Sequence, residues 1–197
     1  MKRTVDIAGS LAALALTAPL ILVVAILIKI EDGGPIFYRQ LRYGLGGRTF
    51  WCWKIRSMVV NADALMEKLA ADNKHGAGAV SFKMQVDPRI TRVGRRIRRL
   101  SIDEMPQFFN VLIGDMSLVG PRPHVRNEVV QYDAFQLRRL TAKPGITCLW
   151  QIGGRSDIPF DGQVRLDLKY IYSQSVREDL RILLKTVPAV AFGKGAY

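Results

Sequence analysis

Histidine and cysteine are scarce: His75, His124, Cys52 and Cys148 are the whole complement in 197 residues. A His-based zinc site or a Ser-His-Asp triad therefore has too few parts. The cysteines lie in apolar stretches, in neither metal nor redox spacing, and read as reduced core residues of a cytosol-facing protein. Carboxylates are also in short supply. Seventeen Asp and Glu face 29 Lys and Arg, a net charge of +12, which calls for an anionic partner: nucleic acid, anionic lipid or a phosphorylated substrate. Internal repeats and low-complexity tracts are absent, and no RNP-like aromatic motif or helix-turn-helix pattern supports nucleic acid. What is abundant is apolar. A hydrophobic content of 49% over a length suited to one domain supports a sizeable core.

Residues 7–28 carry no charge. As a straight helix they would reach roughly 33 Å, just enough for a hydrocarbon core of about 30 Å. A cleaved signal peptide fits poorly, since no small-residue cleavage site follows and Pro19 interrupts the run. Cations flank both ends, Lys2 and Arg3 before and Lys29, Arg39 and Arg42 after, so the positive-inside rule is best satisfied with both ends cytoplasmic. Pro19 removes a backbone bond and offers a kink at which the helix could turn back toward the face it entered. On residues alone, a re-entrant and a spanning helix are equally compatible with this segment, because proline is tolerated in membrane helices.

Beyond Gly33-Gly34-Pro35, residues 36–41 and 49–55 alternate across Gly44-Leu-Gly-Gly47, which predicts a β-hairpin. Trp51, Trp53 and Ile55 share one face, read as core in preference to an interfacial aromatic patch. A helix with apolar Met58, Ala62, Leu65, Met66 and Leu69 follows, and residues 72–88 are the least patterned stretch, expected as a mobile loop. Six arginines between Arg89 and Arg99 surround Ile90, Val93 and Ile97 as an amphipathic basic helix; beside an apolar anchor, lipid headgroups explain it more simply than nucleic acid. It leads into Asp103-Glu104. There Ser101-x-x-Glu104 ahead of Met105, Phe108, Phe109 and Leu112 reads as a capping box opening an amphipathic helix, with Pro106 harmless if Asp103 is the cap instead. An acidic pair in a helix first turn is usually a cap, but the positive end of a helix also favours phosphate. Gly120-Pro-Arg-Pro123 is a rigid turn presenting Arg122, whose fork of donors suits phosphate. A helix is expected over residues 125–140, a short strand ending in a glycine turn with Arg155 after Lys143-Pro-Gly, and an apolar-faced helix over residues 180–190.

Ser101-x-Asp-Glu-x-Pro-Gln107, then Asn110-Val-Leu-x-Gly-Asp-Met-Ser-Leu-Val-Gly-Pro-Arg-Pro123, resembles the signature of the bacterial sugar transferases, the monotopic polyprenyl-phosphate phosphoglycosyl transferases. Lys54-Ile-Arg56-Ser-Met58 and Lys2-Arg3-x-x-Asp6 match further family elements, so the resemblance covers nearly the whole chain. It implies a mixed α and β fold, mainly helical with a small β-hairpin or sheet. It also implies two parts, a re-entrant membrane helix over residues 1–31 broken at Pro19 and a cytoplasmic catalytic domain over residues 32–197. The family breaks this helix at Ser-Pro, whereas this chain has Ala18-Pro19, with Thr17 placed to bond back one turn. The implied activity moves a sugar-1-phosphate from a UDP-sugar to undecaprenyl phosphate, with Asp103 as nucleophile and Mg2+ held by Glu104, Asp103 and Asp167; the alternative is a membrane-surface binding protein that uses its basic patch without catalysis. Lys54, Arg56, Arg98, Arg99, Arg122 between Pro121 and Pro123, and Arg155 are the implied substrate contacts. Leu149-Trp-Gln151 and Gly195-Ala-Tyr197 resemble the galactose-1-phosphate transferases that start exopolysaccharide or O-antigen repeats, although Cys148 and Gly153 depart from that pattern. The expected place is the cytoplasmic face of a bacterial inner membrane, in contact with anionic lipids and without nucleic acid, and the chain is compatible with a homodimer.

Overall fold

The computed structural model describes residues 1–62, 64–65, 87–154 and 157–191. The first element is α1 (Lys2–Asp32), helical through Pro19 and ended by Gly33 in the left-handed conformation. Thr17 Oγ1 bonds back to the Ala13 carbonyl at 2.7 Å, as the sequence led one to expect. The rest of the chain covers only part of this helix: Leu16, Leu22 and Ile30 remain 81%, 63% and 77% exposed. Among the described residues it is the helix long and apolar enough to cross a membrane. Both of its ends are nevertheless fastened to the same body, Lys2, Arg3 and Asp6 at one end and Glu31 and Asp32 at the other.

The predicted hairpin is present as β1 (Phe37–Tyr43) and β2 (Thr49–Ile55), antiparallel with Phe37 opposite Ile55 and Tyr43 opposite Thr49. Its inward face is the other one from that expected. Phe50 and Cys52 enter the core against Val111, Met116 and Leu118, while Trp51 is 48% exposed beneath the Arg39 guanidinium, 4.8 Å away. Ile55 is buried in a separate cluster with Val24 and Ile28 of α1, because the far end of β2 meets the anchor rather than the body. Composition cannot separate the two faces here, since both alternate sets are apolar or aromatic.

Thr91 caps α2 (Arg92–Arg99), accepting from Gly94 N at 2.9 Å, and Ile97 points inward while Arg92, Arg95, Arg96 and Arg99 stay exposed. The capping box at Ser101 is corrected. Ser101 adopts a left-handed backbone, φ 54°, with no side-chain cap; Ile102–Glu104 form a single 3-10 turn, and α3 (Gln107–Ile113) begins after Pro106. Pro106 at the helix entrance removes no helical hydrogen bond.

Two short strands, β3 (Ser117–Val119) and β4 (Gly145–Thr147), pair in parallel. The single helix expected over residues 125–140 is instead α4 (Arg126–Val129), α5 (Ala134–Leu137) and a 3-10 turn, Arg138–Thr141. Asp133 breaks it by capping α5, accepting from Gln136 N at 2.7 Å. Leu149-Trp150-Gln151 is likewise helical, in α6 (Leu149–Gly153), not a continuation of the strand. Then come α7 (Phe160–Ser173) and α8 (Val176–Ala191). Val111, Met116, Val119, Tyr170 and Ile182 form the fully buried centre, drawn from α3, the link into β3, β3 itself, α7 and α8. Cys52 and Cys148 are buried free thiols, as expected. Most of the helix expected after Met58 and the loop over residues 72–88 lie outside the described residues.

Candidate active site

The 3-10 turn Ile102–Glu104 turns its two carboxylates into the body of the protein, where Asp103 is only 8% exposed. Glu104 meets two cations. Its Oε1 accepts from Lys54 Nζ at 2.8 Å, delivered by β2, and from Arg122 Nη2 at 2.7 Å, delivered by the turn after β3. Burial alone would raise the Glu104 carboxyl, but Arg122 and Lys54 outweigh it and hold it well below the usual range. Asp103 goes the other way: burial pushes its carboxyl up, opposed by the nearby Lys54 charge. One carboxylate that gives up its proton readily thus sits beside one whose proton is held more tightly than is ordinary for aspartate.

Arg122 is set by both flanks of its turn. Upstream, Gly145 N donates to the Pro121 carbonyl at 2.9 Å. Downstream, Arg42 of β1 donates to the Pro123 carbonyl and Tyr43 N to the His124 carbonyl at 3.0 Å. Arg42, unremarkable in sequence except as a flanking cation, is therefore part of the frame. So is Asn110, fully buried on α3, which receives Trp53 N at 3.0 Å and donates to the Trp51 carbonyl at 2.7 Å, tying the helix behind the acidic pair to the strand that brings Lys54. Its place in the Asn-Val-Leu run was visible; its partners, more than fifty residues away, were not.

Other expected residues lie elsewhere. Arg56 is committed to Asp32 at 2.5 and 2.6 Å and to the carbonyls of Pro35 and Met58, so it locks the end of α1 rather than facing the acidic pair. That hydrogen-bonded pairing holds the Asp32 carboxyl down at about 2. Asp167 does not join Asp103 and Glu104. It is buried in an ion pair with Arg139 at 2.5 Å, its carboxyl pushed up to about 6 by burial against the pull of that arginine. Consistently, the described residues contain no group of three or more His, Cys, Asp and Glu able to hold an ion by themselves. His124 bonds Glu128 at 2.9 Å, and burial lowers its ring to about 4 despite that partner, so it is neutral near pH 7. Arg98 lies in the electrostatic neighbourhood of Asp103, whereas Arg99 is exposed on α2; Arg155 lies outside the described residues.

A buried acidic pair, of which Glu104 is clasped by a lysine and an arginine, thus lies near a long, exposed apolar helix. A family profile, that of the bacterial sugar transferases, matches residues 1–193. The chain belongs to that family. Membership makes it a transferase. It is 41% identical over 198 residues to the exopolysaccharide production protein ExoY of Sinorhizobium fredii, covering 100% of this chain and 88% of that one. To the undecaprenyl-phosphate galactose phosphotransferase of Salmonella typhimurium it is 43% identical over 199 residues, 100% of this chain but 42% of the relative. To the UDP-glucose:undecaprenyl-phosphate glucose-1-phosphate transferase of Caulobacter vibrioides it is 40% identical over 204 residues, 100% of this chain and 72% of the relative. In this member of the family the hairpin, the 3-10 turn and the β3 turn bring Lys54, Asp103-Glu104 and Arg122 together.

Proposed function

We propose that this sugar transferase moves a hexose-1-phosphate from a UDP-sugar to undecaprenyl phosphate and releases UMP, as the membrane step that starts an exopolysaccharide or O-antigen repeat. The observation that carries the reading is the pairing of Asp103 with a Glu104 already clasped by Lys54 and Arg122. An Asp103 carboxylate oxygen attacks the sugar-bearing phosphorus, the bond from that phosphorus to the bridging oxygen breaks, and UMP leaves with that oxygen. A lipid phosphate oxygen then attacks the same phosphorus and the aspartyl oxygen departs, restoring the carboxylate. Lys54, Arg122 and Arg98 neutralise the charge of two polyanions meeting in one place, which is the larger share of phosphoryl-transfer catalysis.

Mg2+ fits this set as a partner of substrate. Glu104 Oε2 has only a long contact with Arg122, 3.4 Å, so one hard oxygen is loosely held and suits a hard cation. Glu104 and Asp103 would hold it jointly with the diphosphate, where it would supply charge neutralisation; Asp167, tied to Arg139, is left out. Galactose is our choice of sugar, on the Leu149-Trp-Gln151 and Gly195-Ala-Tyr197 resemblance and the Salmonella relative, with glucose, which the Caulobacter relative's name specifies, as the competing donor. The re-entrant topology is supported by the two ends of α1 being fastened to one body, since a helix crossing the bilayer would carry them to opposite faces. The cytoplasmic face follows from the cytosolic donor, and the exposed arginines of α2 suit anionic headgroups.

The test is incubation of the protein in nanodiscs with undecaprenyl phosphate, Mg2+ and a panel of UDP-sugars, following UMP. Multiple-turnover release that needs both lipid and cation, fastest with UDP-galactose, is expected, and without lipid no more than one UMP per protein should appear. Faster turnover of UDP-glucose would move the sugar assignment alone, and no UMP from any donor would sink the reading.

A further inference from the structure

The cations at the start of the chain have an explanation in membrane topology, yet their side chains are spent on the catalytic body. Lys2 Nζ reaches Asp179 at 2.7 Å, the Tyr170 hydroxyl at 3.1 Å and the Val119 carbonyl at 3.2 Å. Arg3 donates to the carbonyls of Val111 at 2.5 Å and Leu112 at 2.8 Å in the last turn of α3, adding to the Gly114 N bond that Val111 already accepts. Asp6, 4% exposed, accepts from Ser117 Oγ at 2.9 Å and Leu118 N at 3.0 Å, both through Oδ1. The Leu118 side chain also seats directly against α1: a Cβ on Gly9 would lie 2.7 Å from Leu118 Cδ1.

The elements held this way carry the two halves of the site. The acidic pair Asp103-Glu104 immediately precedes α3, whose far end Arg3 holds. Arg122 follows β3 within a few residues, and Asp6 and Lys2 hold all of that strand. We propose that Lys2, Arg3 and Asp6 are positioning residues, through which the seating of α1 at the membrane sets the spacing between Arg122 and Asp103-Glu104. They touch neither substrate nor reacting atoms. A misplacement of about 1 Å between groups of a phosphate-binding site costs on the order of a hundredfold in rate, so a loosened strand would be felt in turnover.

The inference rests on the transferase reading, and UMP release by wild type in nanodiscs tests that first. Given an active wild type, Asp6→Ala should lower kcat at least about tenfold with KM for the UDP-sugar nearly unchanged. Asp6→Asn keeps the Oδ1 acceptor while removing the charge, and should recover most of the rate. Ser117→Ala, which removes a partner on the body side and leaves α1 untouched, should lower kcat several-fold, and the double variant with Asp6→Ala should fall short of the product of the two losses. A Thr4→Cys reporter should label identically in all of them. Three results would overturn the proposal: Asp6→Asn as damaged as Asp6→Ala, which makes the charge itself the requirement; altered labelling of the reporter, which makes the role topological; or full activity in Asp6→Ala. An inactive wild type would remove the transferase reading and the inference with it.

Discussion

Asp103 and Glu104 are neighbours in the chain with opposite electrostatic fates, and their exchange of environments would be fatal to the chemistry proposed. Both are buried, but the hydrogen-bonded cations win at Glu104 and burial wins at Asp103. Asp103→Asn preserves size and removes the nucleophile, so wild type incubated with donor alone should gain the mass of one phosphosugar and the variant none, with unchanged secondary structure by circular dichroism. Near-normal turnover in Asp103→Asn would return the residue to a structural role. Because burial raises the Asp103 carboxyl, the ionised, reactive form is lost as pH falls, beginning above the ordinary aspartate value of about 3.9. The rate of loading from donor alone should therefore show an acid limb with its midpoint above that value, and a limb at or below it would contradict the assignment. Asp167 invites a different expectation. Removing its charge by Asp167→Asn leaves Arg139, 2% exposed, as a buried cation without its counter-ion. The expected cost is about 3–5 kcal/mol of unfolding free energy, read by denaturant titration in micelles.

At the scale of elements, the parallel pair β3 and β4 is the narrowest part of the frame. A Cβ on Gly145 would lie 2.0 Å from Gly120 N, and one on Gly120 2.3 Å from the Lys143 carbonyl oxygen, so backbone would have to move to admit any side chain. Gly145→Ala should spread the two strands at the root of the Arg122 turn, lowering turnover by an order of magnitude or more and destabilising the fold by about 1–3 kcal/mol. Wild-type rate and stability in that variant would show that the strands have slack. The hairpin acts at the other flank of the same turn, through Arg42 and Tyr43. Arg122 is thus held by two sheets that share no strand.

The whole molecule is arranged around α1, whose middle belongs to no internal core and whose ends both do. Replacing Pro19 with Ala restores the backbone bond that proline lacks and favours a straight helix of roughly 46 Å over its full length, ample to cross the bilayer. Part of the population should then place Met1 on the far side. In wild type, Thr4→Cys should resist a membrane-impermeant thiol reagent in intact cells and react once the membrane is opened; in Pro19→Ala a fraction should react from outside. Ready labelling of the wild type from outside would make α1 an ordinary spanning anchor.

The chain itself determined the long apolar helix, the hairpin, the basic helix and the acidic pair next to a Pro-Arg-Pro turn, because these are local: an uncharged run, alternation across glycines, arginines at helical spacing, and a motif that resembles a family. Local rules also misled. Ser101-x-x-Glu104 has the spacing of a capping box, but the backbone at Ser101 turns left-handed and starts the helix after Pro106; Asp133 divided a helix that periodicity ran together. Only the tertiary structure decided which face of β2 goes inward, since both sets of side chains could be buried. It also decided the destinations of the charges. Lys54 and Arg122 converge on Glu104, Arg56 is spent on Asp32, Asp167 on Arg139, and Lys2, Arg3 and Asp6 on β3, α3 and α8. A sequence states how many cations a chain carries, but which carboxylate or carbonyl each one satisfies depends on contacts across tens to more than a hundred residues, and those exist only once the chain is folded.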